Sequence, residues 1–307
     1  MLTNKKILLT GAAGQIAFPL GQFLAANNEV WGVARFSEPG SRERCEQAGM
    51  TTRSIDLATG DFSDLPQDFD YVLHFAVFQL AGLDYDYALQ VNAEGTALLM
   101  EHCRNAKACL VMSTCAVYAL HSDPRHAFQE SDPLGDSQQP FSPTYAISKI
   151  AQEAVARSCA RLYTLPTTIA RMNVSYSSNG GLPAYHLDAI MQGKEIVLPA
   201  SGEAWYTCIH QDDINRQIEG LLAVASVPAT VVNWSGDEAV DVRTWCEYFG
   251  ELAGREVHFR EDDSQSIPSR VTDNKRRIEL IGPCNIGWQE GFAAMAKARY
   301  PSLQRAL

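Results

Sequence analysis

The sequence is thin in charge, and thinner still in positive charge. Charged residues make up 20% of its 307 positions, below the roughly 25% of an average domain. The 25 Lys and Arg are outnumbered by 36 Asp and Glu, for a formal net charge of −11. The densest basic run is Lys275-Arg276-Arg277. A phosphate backbone would be repelled overall, so no nucleic-acid partner is expected. Metal-ligand spacing is also lacking. The 8 cysteines (Cys45, Cys103, Cys109, Cys115, Cys159, Cys208, Cys246 and Cys284) form no CxxC, and His74, His186, His210 and His258 share no ligand spacing. Neither a metal nor a disulfide framework is expected, and the thiols read as reduced core residues. No run of 18 uncharged apolar residues exists to span a membrane. The first apolar run meets Gly11 too early for a signal peptide. The expected compartment is cytoplasmic.

What the chain does have is apolar residues, 46% of the total, in a repeating order. Short continuous runs stand at 7–9, 29–34, 70–76, 109–113 and 167–171, as strands buried on both faces require. Between them lie helical patterns at about 15–26, 88–106 and 145–161. Strand and helix in alternation predict a Rossmann-type, doubly wound parallel sheet of the α/β class. Past Arg171 the pattern changes at Asn179-Gly180-Gly181-Leu182-Pro183. Helices follow near 185–192, 213–225 and 242–253, with strands near 195–198 and 230–234. The expected division is a dinucleotide-binding domain of 1–172 with 209–236, and a smaller C-terminal substrate lobe of 173–208 with 237–307. Asp212 and Asp213, just before a helix, read as its caps.

Three constellations carry chemistry. Thr10-Gly11-Ala12-Ala13-Gly14-Gln15-Ile16-Ala17 follows the first strand and opens the first helix. Its glycines permit a tight turn and close approach to a pyrophosphate, which the helix N-terminus would hold. The alternative is a purely structural turn. Tyr145-Ala146-Ile147-Ser148-Lys149 puts a phenol and an ammonium on one helix face. The ammonium is expected to lower the phenol so that it can pass a proton near neutral pH. Ser113-Thr114-Cys115 ends the fourth run, where a hydroxyl faces the ligand crevice.

In this order the residues resemble the extended branch of the short-chain dehydrogenase/reductase superfamily, the epimerase/dehydratase-like enzymes. Further matches lie at Asp56-Leu57, His74-Phe75-Ala76-Val77, Asn92-Ala93-Glu94-Gly95-Thr96, 209–213, 232–236, and Arg270 with Asp273 and Lys275. The resemblance implies Tyr145 as general acid/base, Lys149 on the nicotinamide ribose, Thr114 on the substrate oxygen and Asn92 supporting them from behind. It places the dinucleotide against Gly11, Gly14, Gln15, Ile16, Arg35, Ser37, Asp56, Leu57, Phe75 and Ala76, together with Tyr145 and Lys149. It places the substrate against Phe78, Thr114, Tyr145, Asn173, Trp205, Tyr206 and Arg270. After the second strand no acid precedes Glu38, while Arg35 and Ser37 could meet a 2′-phosphate. NADP is therefore expected, with NAD as the alternative. The family's dehydratase Asp-Glu pair is replaced by Cys115-Ala116, and Tyr206 stands where nucleotide-sugar enzymes usually carry an arginine. The leading expectation is an NAD(P)-dependent oxidoreductase acting on a carbonyl or secondary alcohol of a small or hydrophobic substrate. The alternatives are a nucleotide-sugar epimerase using the same residues and, from another class, a non-catalytic cofactor-binding protein. The resemblance also suggests a homodimer through 88–106 and 145–161.

Overall fold

The computed structural model describes residues 2–135 and 139–305. Its centre is a seven-stranded sheet, parallel throughout. The strands β1 (Lys6–Thr10), β2 (Glu29–Ala34), β3 (Thr51–Ser54), β4 (Tyr71–His74) and β5 (Ala108–Thr114) are joined by Thr167–Met172 and Thr230–Trp234. From one edge the order is Thr230–Trp234, Thr167–Met172, β5, β4, β1, β2, β3. The order reverses between β1 and β4, where open α/β sheets leave a crevice beyond the carboxyl ends.

The side-chain alternation of a strand explains the continuous apolar runs. In β1, Ile7 and Leu9 enter one core with Leu20 and Leu24 of α1 (Ala17–Ala25) and Ile214, Ile218 and Leu221 of α7 (Gln211–Ala223). Leu8 enters the opposite core with Leu99 and Met100 of α4 (Gly95–His102) and Ala156, Cys159 and Ala160 of α5 (Tyr145–Leu162). Both faces of the sheet are covered, as parallel sheets require.

A third core gathers Leu187 and Ile190 of α6 (Leu182–Met191), Trp245 and Phe249 of α8 (Val242–Ala253) and Phe292 and Met295 of α10 (Trp288–Arg299), with Tyr206 and Leu198. The other helices are α2 (Ser41–Gln47), α3 (Tyr85–Leu89) and α9 (Lys275–Ile281). The helix expected near 88–106 begins earlier, at Tyr85, and carries a π turn over Gln90–Glu94. The N-cap of α7 is His210, which accepts the Asp212 amide, not the aspartates. Asp213 instead accepts the Asn285 and Ile286 amides, at 2.8 and 3.1 Å, and ties a distant loop to the helix. All 8 cysteines are free thiols. Among the described residues no helix is long and apolar enough to cross a membrane.

Candidate active site

The turn between β1 and α1 is shaped by one glycine. Gly11 has φ +70°, and a Cβ there would lie 2.9 Å from the Ala76 backbone N and Cα. Only glycine lets the β1 and β4 ends approach so closely. The Thr10 hydroxyl fastens that approach by accepting the Phe75 and Ala76 amides at 3.1 and 3.0 Å. Helix α1 has no side-chain cap at Ile16; the Phe18 amide is taken by the Gly14 carbonyl at 3.0 Å and Pro19 has no N–H. A groove of about 290 Å³ runs from this turn along the carboxyl ends of the strands. Gly11, Gly14, Arg35, Ser37, Asp56, Leu57, Phe75 and Ala76 all line it. A glycine turn and a long groove fit a dinucleotide. At the far end, Arg35 Nη1 lies 3.5 Å from the Tyr87 hydroxyl, which reaches Asp56 Oδ2 at 3.4 Å.

Beyond the turn the groove meets a cavity of about 640 Å³, sharing Gly11, Gly14, Phe75 and Val77 with it. Its wall includes Gln15, Ile16, Thr114, Tyr145, Asn173, Tyr206 and Arg270. Thr114 ends β5 and accepts the Ala116 amide at 3.1 Å, which fixes its hydroxyl at the strand end. That hydroxyl hydrogen-bonds the Tyr145 phenol. Tyr145 is the first residue of α5, and Lys149 lies one turn further in, 1% exposed, donating to the Met112 carbonyl at 2.6 Å.

The expected acidic phenol is not what the protein sets up by itself. Burial pushes Tyr145 up to about 12, and the Thr114 hydrogen bond offsets only part of this. Burial also pulls Lys149 down to about 7, against the opposing pull of Glu153. Desolvation disfavours both charged forms. At neutral pH Tyr145 is therefore a neutral proton donor.

Other expected site residues fall in different places. Phe78 lines the dinucleotide groove rather than the substrate cavity, edge-on to Tyr87 with ring centroids 5.0 Å apart. Trp205 is not on the cavity wall. Its indole donates to Glu203 at 3.0 Å, and the Arg125 guanidinium covers its ring. Tyr206 is on the wall, with its hydroxyl 2.8 Å from the Ile267 carbonyl. Asn92 sits behind the wall on the π turn. It brackets Phe78 by accepting its amide at 2.8 Å and donating to its carbonyl at 3.0 Å, and it donates to Ser148 at 2.9 Å. Asn173 donates to Thr207 Oγ1 and the Arg270 carbonyl, both at 2.8 Å. Arg270 reaches back to the Cys115 carbonyl at 3.2 Å.

Sequence reading passed over a buried ion pair behind the site. Arg171 grips Glu153 through Nε at 2.9 Å and Nη2 at 2.7 Å, and Ser113 donates to the same carboxylate at 2.6 Å. The signal was a lone arginine in an apolar run and a glutamate four residues after Lys149. Phe141, Leu182, Tyr185 and Ile267 also line the cavity and carried no motif.

Residues 7–233 match the model of the NAD dependent epimerase/dehydratase family, and the chain belongs to that family. It is an enzyme of the extended short-chain dehydrogenase/reductase type, with hydride transfer as the family's chemistry. Several solved structures share its fold. UDP-glucuronic acid 4-epimerase from Bacillus cereus, in complex with UDP-glucuronic acid and NAD, is 21% identical. There the likeness covers 97% of this chain and 99% of that one, with a TM-score of 0.82. UDP-glucose 4-epimerase from Thermotoga maritima, with UDP-glucose, is 19% identical, covering 97% and 100%, with a TM-score of 0.81. The dTDP-glucose 4,6-dehydratase of Bacillus anthracis str. Ames, in complex with NAD, is 17% identical, covering 98% of each chain, with a TM-score of 0.80. An uncharacterized 37.6 kDa protein in the cld 5′ region of Escherichia coli O111:H- is 29% identical over 251 residues, spanning 75% of this chain and 72% of that one.

Proposed function

We propose that the chain is a nucleotide-sugar epimerase, oxidising and then re-reducing one carbinol carbon of its substrate. One observation carries the reading. A single cavity opening on the dinucleotide groove has Thr114 and Tyr145 on its wall, with Asn173 and Arg270 on the same wall for a polar or anionic group. The similar structures solved with UDP-glucuronic acid and NAD, and with UDP-glucose, support it. When bound, the nicotinamide supplies the acceptor and donor of hydride. Tyr145, neutral in the empty site, would have to give up its proton on loading before it could take the hydroxyl proton as the carbonyl forms and return it afterwards. Thr114 would hold the reacting oxygen, and Lys149 would bond the nicotinamide ribose. Cys115 and Ala116 offer no carboxylate to expel water, which disfavours a 4,6-dehydratase.

A second reading, net oxidation or reduction of a small apolar carbonyl or alcohol, is favoured by the wall's apolar part: Met112, Ala116, Met172, Tyr206 and Ile267. Cofactor consumption separates the two. With a UDP-sugar panel, the epimerase reading expects a change of sugar configuration with no net absorbance change at the reduced-nicotinamide band. Stoichiometric cofactor consumption with ketones or aldehydes, and none of that interconversion, would overturn it.

For the cofactor we infer a preference for NADP over NAD, because Arg35 and Ser37 line the groove at the β2 end. Equal or tighter binding of NAD in a direct titration would refute the preference. The same reading takes the chain as a cytoplasmic homodimer, divided into the dinucleotide-binding and substrate portions given above.

A further inference from the structure

His74 lies outside both cavities, fully buried at the end of β4, yet it joins them. Its Nδ1 is 2.7 Å from the Thr10 hydroxyl, and its Nε2 is 2.8 Å from the Thr96 hydroxyl. The connectivity fixes the proton. Thr10 Oγ1 already accepts the amides of Phe75 and Ala76, so its single hydrogen is given to Nδ1. Nδ1 is therefore the unprotonated nitrogen and Nε2 carries the hydrogen. Thr96 Oγ1 receives that hydrogen and donates its own to the Asn92 carbonyl at 2.7 Å; the Gln152 amide nitrogen stands 2.9 Å from Thr96 Oγ1 and 3.3 Å from Nε2, and with Nε2 as a donor it bonds the hydroxyl alone. Asn92 in turn donates to Ser148, which donates to the carbonyl of Tyr145 at 2.9 Å.

The geometry points to His74 as a positioning residue, whose neutral Nε2–H tautomer links the glycine-turn seat of the dinucleotide to the helix bearing Tyr145 and Lys149. An imidazolium would force a third donor on Thr10, and the opposite tautomer would do the same. Burial, helped by the nearby Lys149 ammonium, holds the ring neutral, with its pKa at about 3. The link rests on the hydride-transfer reading for its purpose, but its geometry does not depend on which substrate is turned over.

Two measurements test it on the intact chain. In the [15N]histidine spectrum at neutral pH, the ring lost in His74→Asn should show an unprotonated Nδ1 and a protonated Nε2. A protonated Nδ1 would overturn the inference, whatever any variant does. Next, NADPH and NADH are titrated by energy transfer from tryptophan to the reduced ring. His74→Phe, which removes both nitrogens, should weaken binding about tenfold, as loss of a buried hydrogen-bond partner implies. His74→Asn keeps an acceptor near the Nδ1 position and should recover to within about threefold of the parent. His74→Gln reaches the Thr96 side only and should not recover. Equal weakening in all three folded variants, or none, would reject the link and leave a space-filling ring. Absence of cofactor binding in the parent would instead overturn the proposed function while the tautomer result stood.

Discussion

Lys149 shows what the site demands of one residue. The ammonium is held on a single backbone carbonyl at 2.6 Å inside the protein. Its folded value, about 7, lies below its ordinary 10.5. Between those values the unfolded chain binds more protons than the folded one, so stability rises with pH across that window. Below pH 7 the burial cost is felt in full. Lys149→Met should therefore stabilise the cofactor-free chain, on the order of 2 kcal/mol at pH 6, with the gain fading toward pH 10. Urea unfolding at both pH values checks this, and an advantage that grew with pH would contradict it. The residues proposed to perform chemistry could be picked out in the sequence because their spacing is local: Tyr145 and Lys149 lie one turn apart on one helix, and Thr114 ends a strand. Trp205 could not be placed in this way, because whether an aromatic faces a cavity or a neighbouring arginine depends on the packing of distant loops.

At the scale of elements, the sheet was readable because both-face burial writes unbroken apolar runs. Strand order and the π turn were not, since the first depends on long-range register and the second on a single extra residue accommodated around Asn92. Nor was the tie between α5 and the strand Thr167–Met172. Arg171 and Glu153 have side chains 1% and 3% exposed and meet at 2.7 Å. Removing one partner leaves a buried charge unpaired, at a cost of about 3–5 kcal/mol. Arg171→Met should lose that much in chemical denaturation. The double variant Arg171→Met with Glu153→Met should recover more than half of it, because neither charge remains to be solvated. A double variant less stable than Arg171→Met would show that the pair contributes a net attraction larger than its desolvation.

For the whole molecule, the question is what covers the outer faces of α4 and α5. Leu98, Ile147 and Leu162 stand 40%, 53% and 74% exposed there. In the homodimer reading these residues meet a second copy. Ile147→Glu would place a carboxylate at the seam, and sedimentation should then find a monomer where the parent sediments as a dimer. A monomeric parent would remove the dimer.

The most direct measurement is transient reduction of the bound dinucleotide. Purified protein is loaded with the oxidised cofactor and mixed with UDP-sugars, and the reduced-nicotinamide absorbance is followed in a stopped-flow instrument. Proton transfer through Tyr145 predicts a rise that decays as the re-reduced product leaves. It also predicts loss of at least about a hundredfold of that rate in Tyr145→Phe, with cofactor affinity within about threefold of the parent. A Tyr145→Phe protein that reduced its cofactor at the parental rate would contradict the mechanism outright.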